Sequence, residues 1–445
     1  MSENWLWMRA VDLGRGIEAG EIDALALTQT YLAAAEAHEL SARIYARVSV
    51  DRALASARAA SDRARHGRRL GLLDGVPVSW KDLFDTAGIG TEAGTALLEG
   101  RVPETDATVV TRAEEAGLVC LGKTHMSELA FSGLGYNPVT GTPPTVNDRD
   151  AAPGGSSSGA AASVAFGLAA AGIGSDTAGS VRVPAAWNDL VGLKTTFGLL
   201  PNDGVVPLCE SFDTVGPIAR SVEDAACLLA VLQGREPVLP EGTDLTGTRI
   251  GVLEPMVLED LAGPVAAGYE GALAALSGAG ARLERFSTPE PADALALAAI
   301  LFNTEAYATW GELIESAPEK MYHQVLSRFR IGGDVRGIDF VRAWQSLRRM
   351  RSSWVAATAD YDAVVLPTTP NTPPNLKRLV EEPEYYVSEN LLTLRNTRIA
   401  NLLGVPALSL PTATPSVGIM LMMPPMSEAA LLGLGATAEP LLRGA

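Results

Sequence analysis

The feature that most constrains this chain is the stretch from Pro153 to Pro184, which holds two clusters of small and hydroxyl residues. The first cluster reads GGSSSG at 154–159 and the second reads SDTAGS at 175–180. Glycine permits positive φ and exposes backbone N–H groups at close range, so loops of this composition are typical of anion or oxyanion sites. Two flexible turns are the competing interpretation.

The residues between the two clusters, Ala160 to Gly174, are mostly small and apolar. A membrane-spanning helix takes about 20 apolar residues, which this run does not reach. We therefore expect a buried helix here, packed as a spacer between the two polar loops.

Composition narrows the class of protein. A chain of 445 residues with 47% apolar side chains can bury a large core, in one large α/β domain or in two to three smaller ones. A net charge of −17 argues against direct binding of nucleic acid phosphates. Three scattered cysteines favour neither a disulfide framework nor a zinc site, and the first residues do not resemble a signal peptide. We expect a reduced, cytoplasmic protein without a membrane segment.

Hydrophobic patterns predict strands that alternate with helices, which is typical of α/β architecture. Asp23 and Ser221 stand where a helix N-cap is expected, and a long charged helical region is predicted from Tyr322 to Thr358. The residues from Gln233 to Leu245 form the most linker-like segment. Short apolar runs expected to be strands lie at 76–80, 118–121, 249–253, 283–286, 363–366, 407–410 and 417–422.

A lysine stands at the end of the first of these strands. Lys81 follows an apolar run, and desolvation there would lower its pKa and make it a usable base near neutral pH. A surface ion pair with Asp82 is the alternative interpretation. Histidine, the usual base, occurs in charged helical surroundings, and only His125 lies near a plausible loop. A neutral lysine is therefore the candidate that would activate a serine of the two clusters.

Residues 117–124 match the phosphate-loop pattern G-x-x-x-x-G-K-[ST]. Such a loop requires a strand before its first glycine and a helix after its threonine. Here a predicted helix at 106–116 comes first, and the four residues between the glycines are strand-forming hydrophobics. We expect a buried strand at this point, not a nucleotide site.

The lysine and the two clusters together resemble the amidase signature family. The spacing from Ser156 to Ser180 equals that of the family, and the resemblance continues through GKTHMSELAFSG, VGLKTTFGLLP, SFDTVGPIARSVEDAA and LGVPALSLP, over nearly the whole chain. The three motifs that carry it are GVPVSWKD at 75–82, GGSSSG at 154–159 and DTAGSVRVPA at 176–185.

The resemblance implies a fold. It predicts one α/β domain over residues 1–445, in which a mixed, twisted central sheet is covered by helices. The signature motifs would form a core at about 70–230, followed by the linker-like loop at 233–245.

The resemblance also implies a role for each motif residue. Ser180 would be the acylated nucleophile, Ser156 would relay protons after a cis peptide bond from Gly155, and Lys81 would be the base. Ala178 stands where glycine is commoner in the family. The oxyanion hole would use the backbone N–H groups of Thr177, Ala178, Gly179 and Ser180, with Ser157, Asp176 and Arg182 as supporting residues.

The implied function is hydrolysis of a carboxamide C–N bond to a carboxylic acid and ammonia or amine, through an acyl-Ser180 intermediate. No cofactor or metal is expected, and the partner would be a small-molecule amide, with homo-oligomerisation left open. One alternative is the A subunit of glutamyl-tRNA amidotransferase, which usually has glutamine where this chain has Val183. Another is a binding protein that has lost catalysis, which the presence of Lys81, Ser156 and Ser180 disfavours.

Overall fold

The seven short apolar runs are all strands of one sheet in the computed structural model, which describes residues 2–444, and four further strands bring the sheet to eleven. Across the sheet the strands follow the order β1-β3-β2-β4-β6-β5-β10-β11-β9-β7-β8. In chain order they are β1 (Tyr45–Val48), β2 (Pro77–Lys81), β3 (Val119–Thr124), β4 (Ala171–Asp176), β5 (Val191–Lys194), β6 (Thr214–Ala219), β7 (Arg249–Leu253), β8 (Arg282–Phe286), β9 (Ala363–Pro367), β10 (Ala407–Pro411) and β11 (Gly418–Met422).

The sheet is mixed. β2 runs parallel to β3 and β4, and β7 runs parallel to β8 and β9, whereas the other neighbouring strands are antiparallel. Every residue of β2 to β6 is buried, so helices must cover both faces of this part of the sheet. The prediction of one α/β domain with a mixed central sheet covered by helices is confirmed.

Two helices begin at the N-caps that the sequence predicts. Asp23 accepts a hydrogen bond from the Ala26 N–H, and Ser221 accepts one from the Asp224 N–H. The helices are α1 (Ala10–Glu18), α2 (Ala24–Ala37), α3 (Ser41–Ile44), α4 (Val50–Arg65), α5 (Thr108–Glu115), α6 (Ser158–Ala165), α7 (Arg182–Trp187), α8 (Val222–Leu232), α9 (Gly263–Gly278), α10 (Glu290–Ala296), a π-helical turn (Ala299–Asn303), α11 (Thr304–Ser316), α12 (His323–Gly333), α13 (Gly337–Ala357), α14 (Leu376–Glu381), α15 (Pro383–Thr393), α16 (Arg395–Leu403) and α17 (Glu428–Leu442).

The connector between the two clusters is not the single buried helix that the sequence predicts. It is α6 followed by β4, because Gly167 takes a φ of +71° and turns the chain after the helix. The small residues remain necessary because α6 lies directly against β4. A Cβ added at Gly172 would lie 2.8 Å from the Ala160 carbonyl oxygen, and one added at Gly174 would lie 2.6 Å from Ser157 Oγ.

The long helical region expected from Tyr322 to Thr358 is also divided, into α12 and α13. Two glycines end α12, and a Cβ at the first of them, Gly332, would overlap the backbone at Asn303. Glycine is needed here because the end of α12 lies directly against the backbone at Asn303, and the two glycines end the helix before α13 begins.

The linker-like segment 233–245 lies between α8 and β7 and contains neither a helix nor a strand. The sheet nevertheless continues across it, because β10 from the second half of the chain pairs with β5 from the first half. Among the helices of residues 2–444, none combines the length and the apolar composition that crossing a bilayer takes.

Candidate active site

Lys81 ends β2 inside the protein, with its side chain fully buried. Its Nζ donates hydrogen bonds to Ser156 Oγ at 2.7 Å and to Ser175 Oγ at 2.8 Å. The alternative of a surface ion pair with Asp82 is wrong, because that carboxylate faces Arg47 at 3.2 Å and Lys123 at 3.8 Å. The strand therefore delivers its terminal lysine to the serine clusters.

The surroundings of Lys81 favour the neutral amine. Burial lowers its pKa from 10.5 to about 7, against the opposing charges of Asp213 and Asp176. Near pH 7, about half of the molecules therefore carry an amine that can accept a proton. This is the pKa that a general base at neutral pH requires.

The first cluster brings Ser156 to Lys81. The Gly155–Ser156 peptide bond is cis, which confirms the geometry that the family resemblance implies. The next residue, Ser157, links the two clusters: its N–H donates to the Ser180 carbonyl oxygen at 3.1 Å, and its Oγ donates to the Ser175 carbonyl oxygen at 3.2 Å. Ser157 thus holds the first loop against the second.

The second cluster follows β4 and carries Ser180. The Ser180 side chain borders a narrow cavity of about 20 Å³, which is room for about one water molecule. Its Oγ makes no hydrogen bond with any described residue, so Ser156 and Ser180 are not directly bonded to each other. The structure therefore brings Lys81 and Ser156 into contact and leaves the Ser180 hydroxyl free at the cavity.

The backbone of the second cluster presents unpaired donors. The Gly179 N–H donates to Asp176 Oδ1 at 2.8 Å and is already occupied. Within residues 2–444, the N–H groups of Thr177, Ala178 and Ser180 make no hydrogen bond. The positive φ of this turn falls on Gly179, at +133°, and not on Ala178, so the alanine is compatible with the backbone here.

Asp176 and Arg182 support this turn from beneath. Arg182 donates to the two Asp176 carboxylate oxygens, at 3.0 Å from Nε and 2.9 Å from Nη2, and both side chains are fully buried. Burial alone would raise the pKa of Asp176, but the Arg182 guanidinium holds it well below its ordinary value. The carboxylate stays charged and binds the Gly179 and Val181 N–H groups.

Residues far along the chain complete this support, and the sequence motifs did not reveal them. Asn401 on α16 donates to Asp176 Oδ1 at 2.9 Å, and Thr397 Oγ1 donates to the Ala178 carbonyl oxygen at 2.8 Å. Asp213 accepts a hydrogen bond from Thr177 Oγ1, and burial raises its pKa to about 6. The segment SFDTVG contains Asp213, but nothing in its pattern shows that it contacts the second cluster.

The residues that match the phosphate-loop pattern form a strand. Lys123 lies within β3 and is fully buried. Its Nζ donates to the Phe84 carbonyl oxygen and to Thr91 Oγ1, the latter at 2.8 Å. A strand has no curled backbone to surround a phosphate, so the expectation of a buried strand at this position is confirmed.

Comparison with known proteins identifies the family. The amidase family model matches residues 26–432. The chain is 35% identical to 2-amino-5-chloromuconic acid deaminase of Comamonas testosteroni over 401 residues, which cover 88% of this chain and 87% of that protein. It is 32% identical to the A subunit of glutamyl-tRNA(Gln) amidotransferase from Synechococcus elongatus over 436 residues, which cover 90% of each.

A solved structure described as an amidase has the same fold. It superposes with a TM-score of 0.88 at 30% identity, over 98% of this chain and 100% of that chain. The family match spans most of the sequence, and the structural match spans nearly all of it. The chain therefore belongs to the amidase signature family of hydrolases that act on amide bonds.

Proposed function

We propose that this enzyme hydrolyses a carboxamide through an acyl-Ser180 intermediate, with Ser156 relaying protons between Ser180 and Lys81. The observation that carries the proposal is the contact of Lys81 with Ser156. A fully buried lysine with a pKa of about 7 lies 2.7 Å from the hydroxyl of a serine whose loop is bonded to the Ser180 backbone. Such an amine is a base that a serine nucleophile can use.

Acylation begins when the neutral Lys81 amine takes the Ser156 hydroxyl proton while Ser156 takes the Ser180 proton. The Ser180 Oγ then attacks the amide carbonyl carbon, and the oxygen of the tetrahedral intermediate becomes negative. The C–N bond breaks as Lys81, through Ser156, returns a proton to the departing nitrogen. Ammonia or an amine leaves, and an ester to Ser180 remains.

Deacylation repeats the transfer with water in place of Ser180. Water loses a proton through Ser156 to Lys81 and attacks the ester carbon. The bond to Ser180 Oγ breaks, Ser180 recovers the proton, and a carboxylic acid leaves. Each half-reaction therefore returns Lys81 to the neutral amine, and no other reactant is consumed.

The oxyanion of both tetrahedral intermediates would be bound by the unoccupied N–H groups of Thr177, Ala178 and Ser180. Each such donor contributes about 2.7 to 4 kcal/mol in hydrolases of this chemistry. Gly179 supports the site differently, since its N–H binds the Asp176 carboxylate and fixes the turn. We include Ser157, Asp176 and Arg182 as positioning residues for this loop.

A glutaminase that works with partner proteins is the second candidate, because a relative 32% identical to this chain is the A subunit of an amidotransferase. At the position where that relative's family usually has glutamine, Val183 is fully buried among Leu134, Trp187 and Tyr386. This position therefore serves packing and supplies no amide group. Glutamine hydrolysis that appears only with the other amidotransferase subunits added would favour the second candidate over a stand-alone amidase.

The nucleophile is tested with Ser180→Ala. We expect this variant to lose ammonia release from primary amides and covalent labelling by a serine-reactive phosphonate, since it lacks the hydroxyl that would form the acyl ester. Mass spectrometry of the native protein should locate the label on the Ser180 peptide. Ser163→Ala is a matched control, because Ser163 is equally buried but its hydroxyl contacts Ser79 and the Ala160 carbonyl. Labelling that survives in Ser180→Ala would contradict the assignment.

A further inference from the structure

Two arginines border the same cavity as Ser180. Arg328 comes from α12 and Arg398 from α16, and both line the narrow space in front of Thr177, Ala178 and Ser180. The motifs of the family resemblance include neither arginine, and the proposed acylation uses neither. Their position beside the reacting serine calls for a separate explanation.

Arg398 has no polar side-chain partner among residues 2–444. Its side chain makes no hydrogen bond and no ion pair with any residue of 2–444, and its Nε is buried without an acceptor. Burial lowers its pKa to about 9, and the neighbouring charge of Arg328 contributes to this shift. A guanidinium in this position is stabilised only when an acceptor from outside the chain approaches it.

Contacts with Phe131 fix the Arg328 side chain but do not balance its charge. Its Nη1 donates to the Phe131 carbonyl oxygen, and its guanidinium carbon lies 4.2 Å from the centre of the Phe131 ring. It forms no ion pair with any carboxylate in the described chain. Arg182, by contrast, is paired with the buried carboxylate of Asp176. The two cavity arginines are therefore positive charges that no carboxylate of residues 2–444 balances.

The rest of the cavity wall is mainly apolar. Besides Ser132 and the residues of the second cluster, it consists of Ala130, Phe131, Leu208, Phe302 and Leu394. The cavity as it stands admits about one water molecule, so a larger ligand enters only when the side chains of this wall move apart. The chemistry of the wall favours a ligand with a short carbon skeleton and one anionic end. A carboxylate matches the planar donor fork of a guanidinium with two parallel hydrogen bonds, and its charge offsets the repulsion between the two arginines.

We propose that the substrate is an amide that carries a carboxylate, bound by Arg328 and Arg398 while its amide carbon lies at Ser180. This inference rests on the proposed function and adds the substrate class to it. The arginines bind and orient the substrate, whereas proton transfer remains with Lys81 and the serines. A bound anion also offsets the repulsion between the two arginines. A neutral amide does not offset it, so its affinity is low.

The test compares amides that differ only in the anionic group. Succinamate is matched by butyramide and glutaramate by valeramide, with a methyl group in place of the carboxylate. N-acetylglycine and N-ethylacetamide form the corresponding pair with the carboxylate on the leaving group. In at least one pair we expect kcat/KM for the anionic amide to exceed that of the neutral one by about 10- to 100-fold, the range for a lost charged hydrogen bond.

Variants assign the preference to the arginines. Arg398→Gln and Arg328→Gln should each bring the ratio of anionic to neutral kcat/KM close to one, mainly through KM for the anionic amide. Arg330→Gln is the matched control, because Arg330 lies on the same helix but is exposed and paired with Glu315 at 2.8 Å. Equal kcat/KM within all three pairs, or an unchanged ratio in Arg398→Gln, would overturn the proposal.

A binding measurement separates this proposal from the proposed function. Calorimetry with the Ser180→Ala protein should detect binding of succinamate or N-acetylglycine but not of their neutral partners, and Arg398→Gln should abolish it. If the native protein hydrolyses no amide while this binding persists, the hydrolytic function fails and the anion site stands. If it hydrolyses neutral and anionic amides equally, the anion site fails and the hydrolytic function stands.

Discussion

Replacing Lys81 with methionine tests the base assignment most directly, because methionine fills a similar volume without an amine. At pH 7 a lysine with its ordinary pKa of 10.5 is neutral in about 3 of 10,000 molecules, whereas a pKa of about 7 makes about half of them neutral. Burial thus increases the concentration of the active base by about three orders of magnitude. Loss of the base should lower kcat by about 100- to 10,000-fold.

The assay is ammonia release from a hydrolysed amide, measured from about pH 5 to 9. The native kcat/KM should fall about tenfold per pH unit below the Lys81 pKa of about 7, since Lys81 is protonated there. Lys81→Met should lose both the rate and this acid limb. Its melting temperature should stay close to that of the native protein, because two effects of the substitution oppose each other. Removing a desolvated amine stabilises the fold, whereas the Ser156 and Ser175 hydroxyls each lose a hydrogen-bond donor.

A second buried lysine provides a demanding control. Burial also lowers the pKa of Lys194 to about 7, but its Nζ donates to the Thr195 and Val405 carbonyl oxygens and contacts neither proposed catalytic serine. Lys194→Met should therefore keep the acid limb. The reasoning is refuted if Lys81→Met retains the native pH profile, or if the limb disappears in Lys194→Met.

Two further predictions concern the support of the second cluster. Asp176→Asn leaves the Arg182 guanidinium buried without a counter-charge, and urea unfolding should show a loss of about 3 to 5 kcal/mol; a loss under about 1 kcal/mol would contradict the importance of this pair. Gly179→Ala forces an alanine to a φ of +133° with its Cβ 2.7 Å from Thr397 Cβ, so we expect a loss of about 1 to 3 kcal/mol and lower kcat. The control Gly263→Ala meets no atom within 4 Å, and equal stability of both alanine variants would argue against strain at Gly179.

Local signals in the sequence predicted much of the architecture. The caps at Asp23 and Ser221 and most short strands lie where the patterns indicate, because capping and burial of short apolar runs depend on neighbouring residues. The connector from Ala160 to Gly174 was predicted wrongly, since small apolar residues suit both a buried helix and a strand that a helix covers closely. The packing of α6 against β4 decides between them.

In the candidate site, too, the sequence predicts residues in local motifs but not contacts between distant elements. Lys81, Ser156 and Ser180 could be selected because each belongs to a local motif, and the structure brings the first two into contact. Arg328 and Arg398 carry no such signal, since an arginine on a helix is usually solvated. Only the packing of α12 and α16 around the cavity shows that these two charges lack a partner in the described chain.

The hydrogen bonds from α16 to the second cluster have a consequence for the order in which the protein forms. Asn401 and Asp176 are 225 residues apart, and β10, which pairs with β5 inside the sheet, follows Asn401. A chain emerging from the ribosome therefore presents Lys81, Ser156 and Ser180 long before the α16 residues that bind the second cluster. Contacts this distant in sequence form late. We expect hydrolytic competence to arise only when synthesis is nearly finished, so that incomplete chains are inactive.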